Sequence, residues 1–289
     1  MALPPIVLVA AFTGFPIVVS VAYTFGHTGG LNASVSAIAQ HQVDGNGKLV
    51  DVAPYSDVFH QSLFRQSLVA TVWVTIISTA IVLVLSWAIA LYARLTPSRL
   101  GRLLSSLSIV PLFIPVVIAS YAVLQFFSYG GFVKTLAHAL GMGSFPALGF
   151  TLGGVVVGEV WTSLPFGVLM ISSGLQAVPD SLFEAARDAG ASVLRATWNV
   201  LVPLNLVPSM IAFSFTAIGV IGSFTVPFLI GPTAPNLLGP EAAETFQSFN
   251  EPQQAEVIAI VLFALSVVVA VPYLWATHRR RSRAGIEAA

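Results

Sequence analysis

The sequence predicts an all-α membrane protein with six transmembrane helices and both termini on the cytoplasmic side. Three observations predict it: the composition, the number of long apolar stretches and the placement of the basic residues. Of 289 residues, 56% are hydrophobic and only 8% are charged, against about 25% charged in an ordinary soluble domain. A water-soluble globule of this size could not cover itself with so few charges, whereas a bilayer-embedded chain needs no such cover. The formal net charge is zero, which by itself says nothing about nucleic acid or acidic partners, and the position of each charge says more than their sum. There are no cysteines. That excludes disulfides, thiolate metal sites and cysteine nucleophiles and leaves the redox compartment open.

A helix needs about 20 mostly apolar residues to cross the hydrocarbon core. Six stretches qualify, at residues 3–25, 63–93, 103–127, 148–175, 204–230 and 255–276. The first lacks the basic n-region and the small-residue cleavage site of a signal peptide and is read as a span. The second is long enough to tilt or protrude. A polar segment, 26–61, carries Asn32, Asp44, Asn46, Asp51 and Asp57 and is expected on the extracytoplasmic side. Orientation follows from Lys and Arg in the short connections. Arg94, Arg99 and Arg102 join spans two and three, Arg187 and Arg195 join four and five, and Arg279, Arg280, Arg281 and Arg283 follow span six. All nine fall on one side, and only Lys48, Arg65 and Lys134 fall on the other.

Proline and glycine interrupt several spans. Pro111 and Pro115 lie in span three, Pro165 in span four, and Pro208, Gly219, Gly222 and Pro227 in span five. Each missing backbone donor must be compensated by neighbouring helices, hydroxyls or water. Two readings stay open: ordinary kinked packing, or helices bent around a path for a solute.

The connection between spans four and five, 178–203, is the most informative part. It reads as two short helices joined at a glycine. Ser181 and Glu184 have the S-x-x-E spacing of a capping box, which predicts the start of the first helix. Ala185, Ala186 and Ala189 give that helix strong propensity and a low profile, and Gly190 is suited to a left-handed stop. Leu194, Trp198 and Leu201 recur at i, i+4 and i+7 and predict an apolar stripe on the second helix. Periodicity alone leaves open whether the first helix is a plug for another protein's groove or a plain interfacial helix.

These residues resemble the EAA motif of ABC importer permeases, which has the form E-A-A, three residues, G, nine residues, I-x-L-P. Here it reads Glu184-Ala185-Ala186, Gly190 and Val200-Leu201-Val202-Pro203, with Asp188 and Ala191 fitting the D-x-G-A version and Val178-Pro179 the usual lead-in. Val200 and Val202 depart from the pattern but remain aliphatic. E-A-A alone carries no weight, since Glu241-Ala242-Ala243 and Glu287-Ala288-Ala289 match it without the rest. The Leu3-Pro4-Pro5 opening, the Ser67–Thr71 start of span two and the Ile109–Pro115 run also look like this family. The resemblance implies a type I ABC importer transmembrane domain occupying 1–289. It implies a coupling helix with Glu184, Ala185, Ala186, Asp188 and Gly190 seated in a cytoplasmic ATPase dimer, a second permease subunit forming a heterodimer, and an extracytoplasmic substrate-binding protein docking on 26–61 and 231–252. It also implies a bacterial inner-membrane location and a non-catalytic subunit that binds no cofactor, with ATP and magnesium used by the partner ATPase. The chain has no G-x-x-x-x-G-K-[ST] phosphate loop, consistent with a subunit other than the motor.

Glu159 is the one acid read as lying inside a span. It is a candidate for the substrate path, because a carboxylate in the membrane is costly; a hydrogen-bonded packing role is the other reading. Ser223 and Thr225, beside Gly222, are candidates for the same path or for intrahelical hydroxyl bonding. The five histidines are scattered, with no metal-ligand spacing and no Ser/His/Asp pattern, so neither a metal site nor a triad is expected. Residues 222–232, 246–249 and 254–259 resemble the spermidine/putrescine, iron, thiamine and aminophosphonate branch. They imply a small charged solute containing nitrogen or phosphorus. The alternatives are a sugar-type importer or an uncoupled channel or scaffold. The arginine-rich tail reads as a stop and orientation signal, with contact to anionic lipid of the bilayer left open.

Overall fold

In the computed structural model, the described residues are 7–27, 38–39, 41–43, 49–96, 98–141 and 146–287, with side chains described up to Leu274 except at Pro272. Leu3-Pro4-Pro5, Asn32, Asp44, Asn46 and Lys48 lie outside them, as do Ala288, Ala289 and the side chains of Arg279, Arg280, Arg281 and Arg283. Among the described residues the chain is helical, with no strand. The helices are α1 (Val7–Thr24), α2 (Ala53–His60), α3 (Ser62–Leu95), α4 (Arg99–Ile109), α5 (Val116–Phe127), α6 (Phe132–Ala139), α7 (Leu152–Gln176), α8 (Asp180–Asp188), α9 (Val193–Leu204), α10 (Leu206–Ile221), α11 (Thr225–Ile230), α12 (Leu238–Gln247) and α13 (Pro252–Glu287). Five helical stretches are long and apolar enough to cross a membrane, and six if the bent pair α9 and α10 counts as one span.

Two expected spans are broken. Span three is α4 and α5 with a 3-10 turn, Val110–Phe113, between them. Pro111 and Pro115 lack the N–H that would continue the ladder, and Ile114, directly before Pro115, is extended with φ −102° and ψ 122°, as that position demands. Span five is the 16-residue α10 and the 6-residue α11, separated at Gly222, Ser223 and Phe224. At its other end, α10 bends 67° from α9. By contrast α3 is continuous for 34 residues, about 50 Å of helix, so it outreaches a hydrocarbon core of about 30 Å.

Chain contacts divide the molecule into two compact bodies, Met1–Ala70 with Ala234–Leu265 and Thr71–Thr233 with Ser266–Ala289. The first is built on Val58, Phe64, Leu238, Val257 and Ile258, all buried. Parts of the polar segment 26–61 are tied down within it. The Gln253 side chain accepts from the His41 N–H at 3.1 Å and donates to the carbonyls of His41 and Tyr23 at 3.0 and 3.1 Å. The Asp51 N–H donates to the Phe25 carbonyl at 3.0 Å. Ser67 of α3 donates to Glu241 of α12 at 2.9 Å.

In the second body, α7 packs against α4, α5, α10 and α11. Its close approaches use small residues, as helices in lipid do where van der Waals packing drives association. A Cβ on Gly158 would sit 2.7 Å from Val226 Cγ1 of α11. One on Gly174 would overlap the Asn205 side chain and Pro208. A buried cluster of Ala90, Ile171, Leu175, Val178, Leu201 and Ala212 fastens α3, α7, α9 and α10 to the start of the 178–203 connection.

Candidate functional site

The 178–203 connection is anchored at its start by an arginine from α3. Arg94 Nη2 donates to the Val178 carbonyl and to Asp180 Oδ1, both at 2.7 Å. Such charge-assisted bonds are short and directional. The Arg94 side chain is 15% exposed and that of Asp180 82%, so the ion pair alone contributes little stability. Its effect is to fix where α8 leaves α7. The expected capping box is absent. The helix starts two residues earlier, with Pro179 in place of Ser181 at the cap position, and no side chain caps it. Proline fixes φ in advance and Asp180, in the first turn, suits the positive end of the helix dipole, so Ser181 lies within the helix and has no cap to make.

The other end of α8 follows expectation. Gly190 has φ +84°, a left-handed conformation that costs other residues about 1–2 kcal/mol. The N–H of Ala191 reaches the Ala186 carbonyl at 3.0 Å and that of Gly190 the Arg187 carbonyl at 2.9 Å, the paired bonds of a Schellman stop. Arg187 Nη1 also donates to the Ala191 carbonyl at 3.0 Å. No residue of α8 is buried. Phe183 is half-buried against the core cluster, while Glu184, Ala185, Asp188 and Gly190 are exposed and Ala186 is half-buried. The arrangement is a short helix held from behind and open in front, with two carboxylates on a small-residue surface.

The second helix departs from its expected stripe. Ser192 caps α9 by accepting from the Arg195 N–H at 3.3 Å. The turn from Thr197 to Leu201 then widens to a π-helix, which shifts the facing of successive residues. Leu201 is fully buried, but Leu194 and Trp198 are 68% and 63% exposed. At the bend after α9, Asn205 is fully buried and its Nδ2 donates to the Ile171 carbonyl of α7 at 3.3 Å. Neither fixing is legible in the sequence, where Arg94 reads only as an orientation charge and Asn205 begins an apolar run. The one available signal was a lone amide amid aliphatic residues.

Glu159 and Ser223 are brought together. Glu159, on α7 about two turns from its start, is 3% exposed. Its carboxyl is hydrogen-bonded to the Ser223 side chain, and its Oε1 is buried without a partner. Ser223 belongs to the break between α10 and α11, and Thr225, half-buried, is the first residue of α11. Glu159 is not the only acid within an apolar helix. Glu256, one turn into α13, accepts from Ser20 of α1 at 3.0 Å. The sequence also gave no warning of a polar seam on α3. Thr75, Ser78, Thr79 and Ser86 share one helical face, and their hydroxyls are buried without hydrogen-bond partners. Gly167 of α7 lies against Ser86, 2.5 Å from its Oγ to an added Cβ. Among the described residues, no three His, Asp or Glu side chains are placed to hold a metal ion.

Comparison with known proteins matches residues 83–283 to the model of a family described as the binding-protein-dependent transport system inner membrane component. The sulfoquinovosyl glycerol transport system permease protein SmoG of Agrobacterium fabrum is 28% identical over 228 residues, 76% of this chain and 74% of the relative. The spermidine/putrescine permease PotB of Escherichia coli is 29% identical over 178 residues, 61% of this chain and 65% of the relative. The molybdenum permease ModB of Azotobacter vinelandii is 28% identical over 218 residues, 73% and 91%. Among solved structures, a chain of a bacterial ABC transporter that imports the acidic polysaccharide alginate superposes with a TM-score of 0.73 at 16% identity, over 98% of this chain and 94% of that one. At that identity the likeness shows the fold, which is the transmembrane domain of a type I ABC importer.

Proposed function

Since the chain belongs to the family of binding-protein-dependent transport system inner membrane components, we propose that it is the importer subunit through which ATP hydrolysis in a separate ATPase is converted into opening and closing of a solute path. The observation that carries this reading is the form of α8, fixed by Arg94 and the core behind it and exposed along Glu184, Ala185 and Asp188. A helix so held transmits a push from a docked protein into α7 through Val178, and into α10 through Asn205. The chain binds no cofactor of its own; ATP and magnesium belong to the ATPase dimer. Both termini and 178–203 face the cytoplasm of a bacterial inner membrane, and a binding protein delivers solute on the opposite side, at 26–61 and 231–252. A second, different permease completes the path.

The path on this chain runs by Glu159, Ser223 and Thr225, at the break in span five. A buried carboxyl with one free oxygen suits a small charged solute containing nitrogen, and the match to the spermidine/putrescine permease supports that class. The sugar-type alternative is favoured by the match to the sulfoquinovosyl glycerol permease. The test of coupling is a mild-detergent pull-down of the tagged chain from its native membrane. The wild type is expected to recover an ATPase and a binding protein. Gly190→Arg, which strains the left-handed stop, is expected to insert normally yet lose the ATPase and ATP-driven uptake. Normal uptake in that variant, or recovery of the folded wild-type chain alone, would overturn the coupling assignment in favour of an uncoupled channel or scaffold.

A further inference from the structure

We propose that the apolar groove between α3 and α9 is a binding site for an anionic phospholipid, with the acyl chain lying between the helices and the phosphate against Arg195. The groove encloses about 540 Å³ and is walled by Leu83, Trp87 and Leu91 of α3 and by Leu194, Trp198 and Val202 of α9. Its origin is the π-turn of α9, which turns Leu201 into the core and leaves Leu194 and Trp198 outside it. A bilayer protein has no water to fill an apolar groove on a spanning helix, and hydrocarbon is the solvent at hand.

Two features select a charged lipid over bare hydrocarbon. Trp87 and Trp198 place two amphipathic rings in the groove, the residue type that concentrates at headgroup level. Arg195 lies one turn before Trp198 on the same helix, so the two side chains are neighbours. Two other arginines at this connection are engaged, Arg94 of α3 with Val178 and Asp180 and Arg187 of α8 with Ala191. The exposed guanidinium of Arg195 has no hydrogen bond or ion pair among the described residues. A free cation beside an apolar groove complements a phosphate joined to an acyl chain. The site lies on the second helix of the 178–203 connection, so its occupant would set the packing of α9 on α3; lipid contact is read directly and does not depend on coupling to an ATPase.

The test uses the full importer complex in lipid nanodiscs. In a chain with Trp73, Trp87, Trp161 and Trp275 replaced by Phe, the quenching lost on a further Trp198→Phe change is the Trp198 signal. The probes are phosphatidylglycerol and phosphatidylcholine carrying the same brominated, fluorescence-quenching tails. Phosphatidylglycerol is expected to quench Trp198 at about fivefold lower mole fraction, the preference one guanidinium gives near an anionic headgroup. Arg195→Gln is expected to remove the preference and keep the quenching, and Ala88→Phe, which fills the groove, to weaken quenching by both lipids. Equal quenching by the two lipids in the reporter chain that retains Arg195, or a preference that survives Arg195→Gln, would overturn the proposal. So would a Trp198→Cys crosslink to the partner permease in native membrane, which would make the groove a subunit interface.

Discussion

Glu159 owes its interest to an imbalance between its two oxygens. The carboxyl has Ser223 as a partner, yet Oε1 is buried with none, and a buried acceptor left unpaired is costly. A passing cationic solute would satisfy it. Glu159→Gln keeps the shape and the bond to Ser223 but removes the charge, so uptake is expected to fall roughly tenfold, the scale of a lost bond to a charged group. Unchanged uptake kinetics in a normally inserted protein would return Glu159 to packing. Glu241 allows a different experiment. Burial raises its pKa above the usual carboxylate range, the Ser67 bond opposes that shift and Glu244 adds to it. The folded state therefore holds the proton more tightly than the unfolded state, and stability falls as pH rises from the unfolded pKa through the folded one. Glu241→Gln is expected to flatten that decline in detergent-solubilised melting profiles from acidic to neutral pH. A decline of the same size in the variant would contradict the assignment.

At the scale of elements, the contact of α7 with the bend between α9 and α10 ties the exposed segment to the spans. Gly174 makes it possible by letting Asn205 reach the Ile171 carbonyl. Gly174→Ala forces the helices apart, at a cost of about 1–3 kcal/mol typical of overpacking. The expected readout is a lower melting temperature together with weaker retention of the ATPase. An unshifted melt would show that the bend relaxes freely. Much of this element-level organisation was legible in the sequence. Apolar length placed α1, α3, α7 and α13, proline marked the interruption at 110–115, and Gly190 marked the end of α8. What escaped has physical reasons. The start of α8 follows Pro179 and Asp180, and Asp180 is held by Arg94 from 86 positions away, so the S-x-x-E spacing of Ser181 and Glu184 points to a start that is too late. The stripe of Leu194, Trp198 and Leu201 rests on 3.6 residues per turn, and the wider i→i+5 turn at Thr197–Leu201 takes Leu201 off the face that Leu194 and Trp198 share. The Glu159–Ser223 pairing joins residues 64 positions apart, and each alone looked ambiguous.

For the whole molecule, the open question is what stands beside this chain in the membrane. Family membership makes it one permease subunit of an importer, and the exposed apolar side chains of α3 and α5, among them Trp73, Ile76, Val117 and Ile118, must face lipid or another subunit. On the proposed path, two identical copies would present the same Glu159 carboxyl twice, doubling a buried charge that is already costly once. Two different permeases let one subunit carry the carboxyl and the other a complementary or neutral wall. That argument favours the heterodimer. Two copies of this chain bearing different affinity tags, co-expressed with the rest of the importer, are expected not to recover one another from mild detergent. Each should instead bring down a distinct permease in roughly equal amount. Mutual recovery of the two tagged copies in a complex that retains the ATPase would establish a homodimer. The solute would then pass between paired carboxyls, a site suited to a dication.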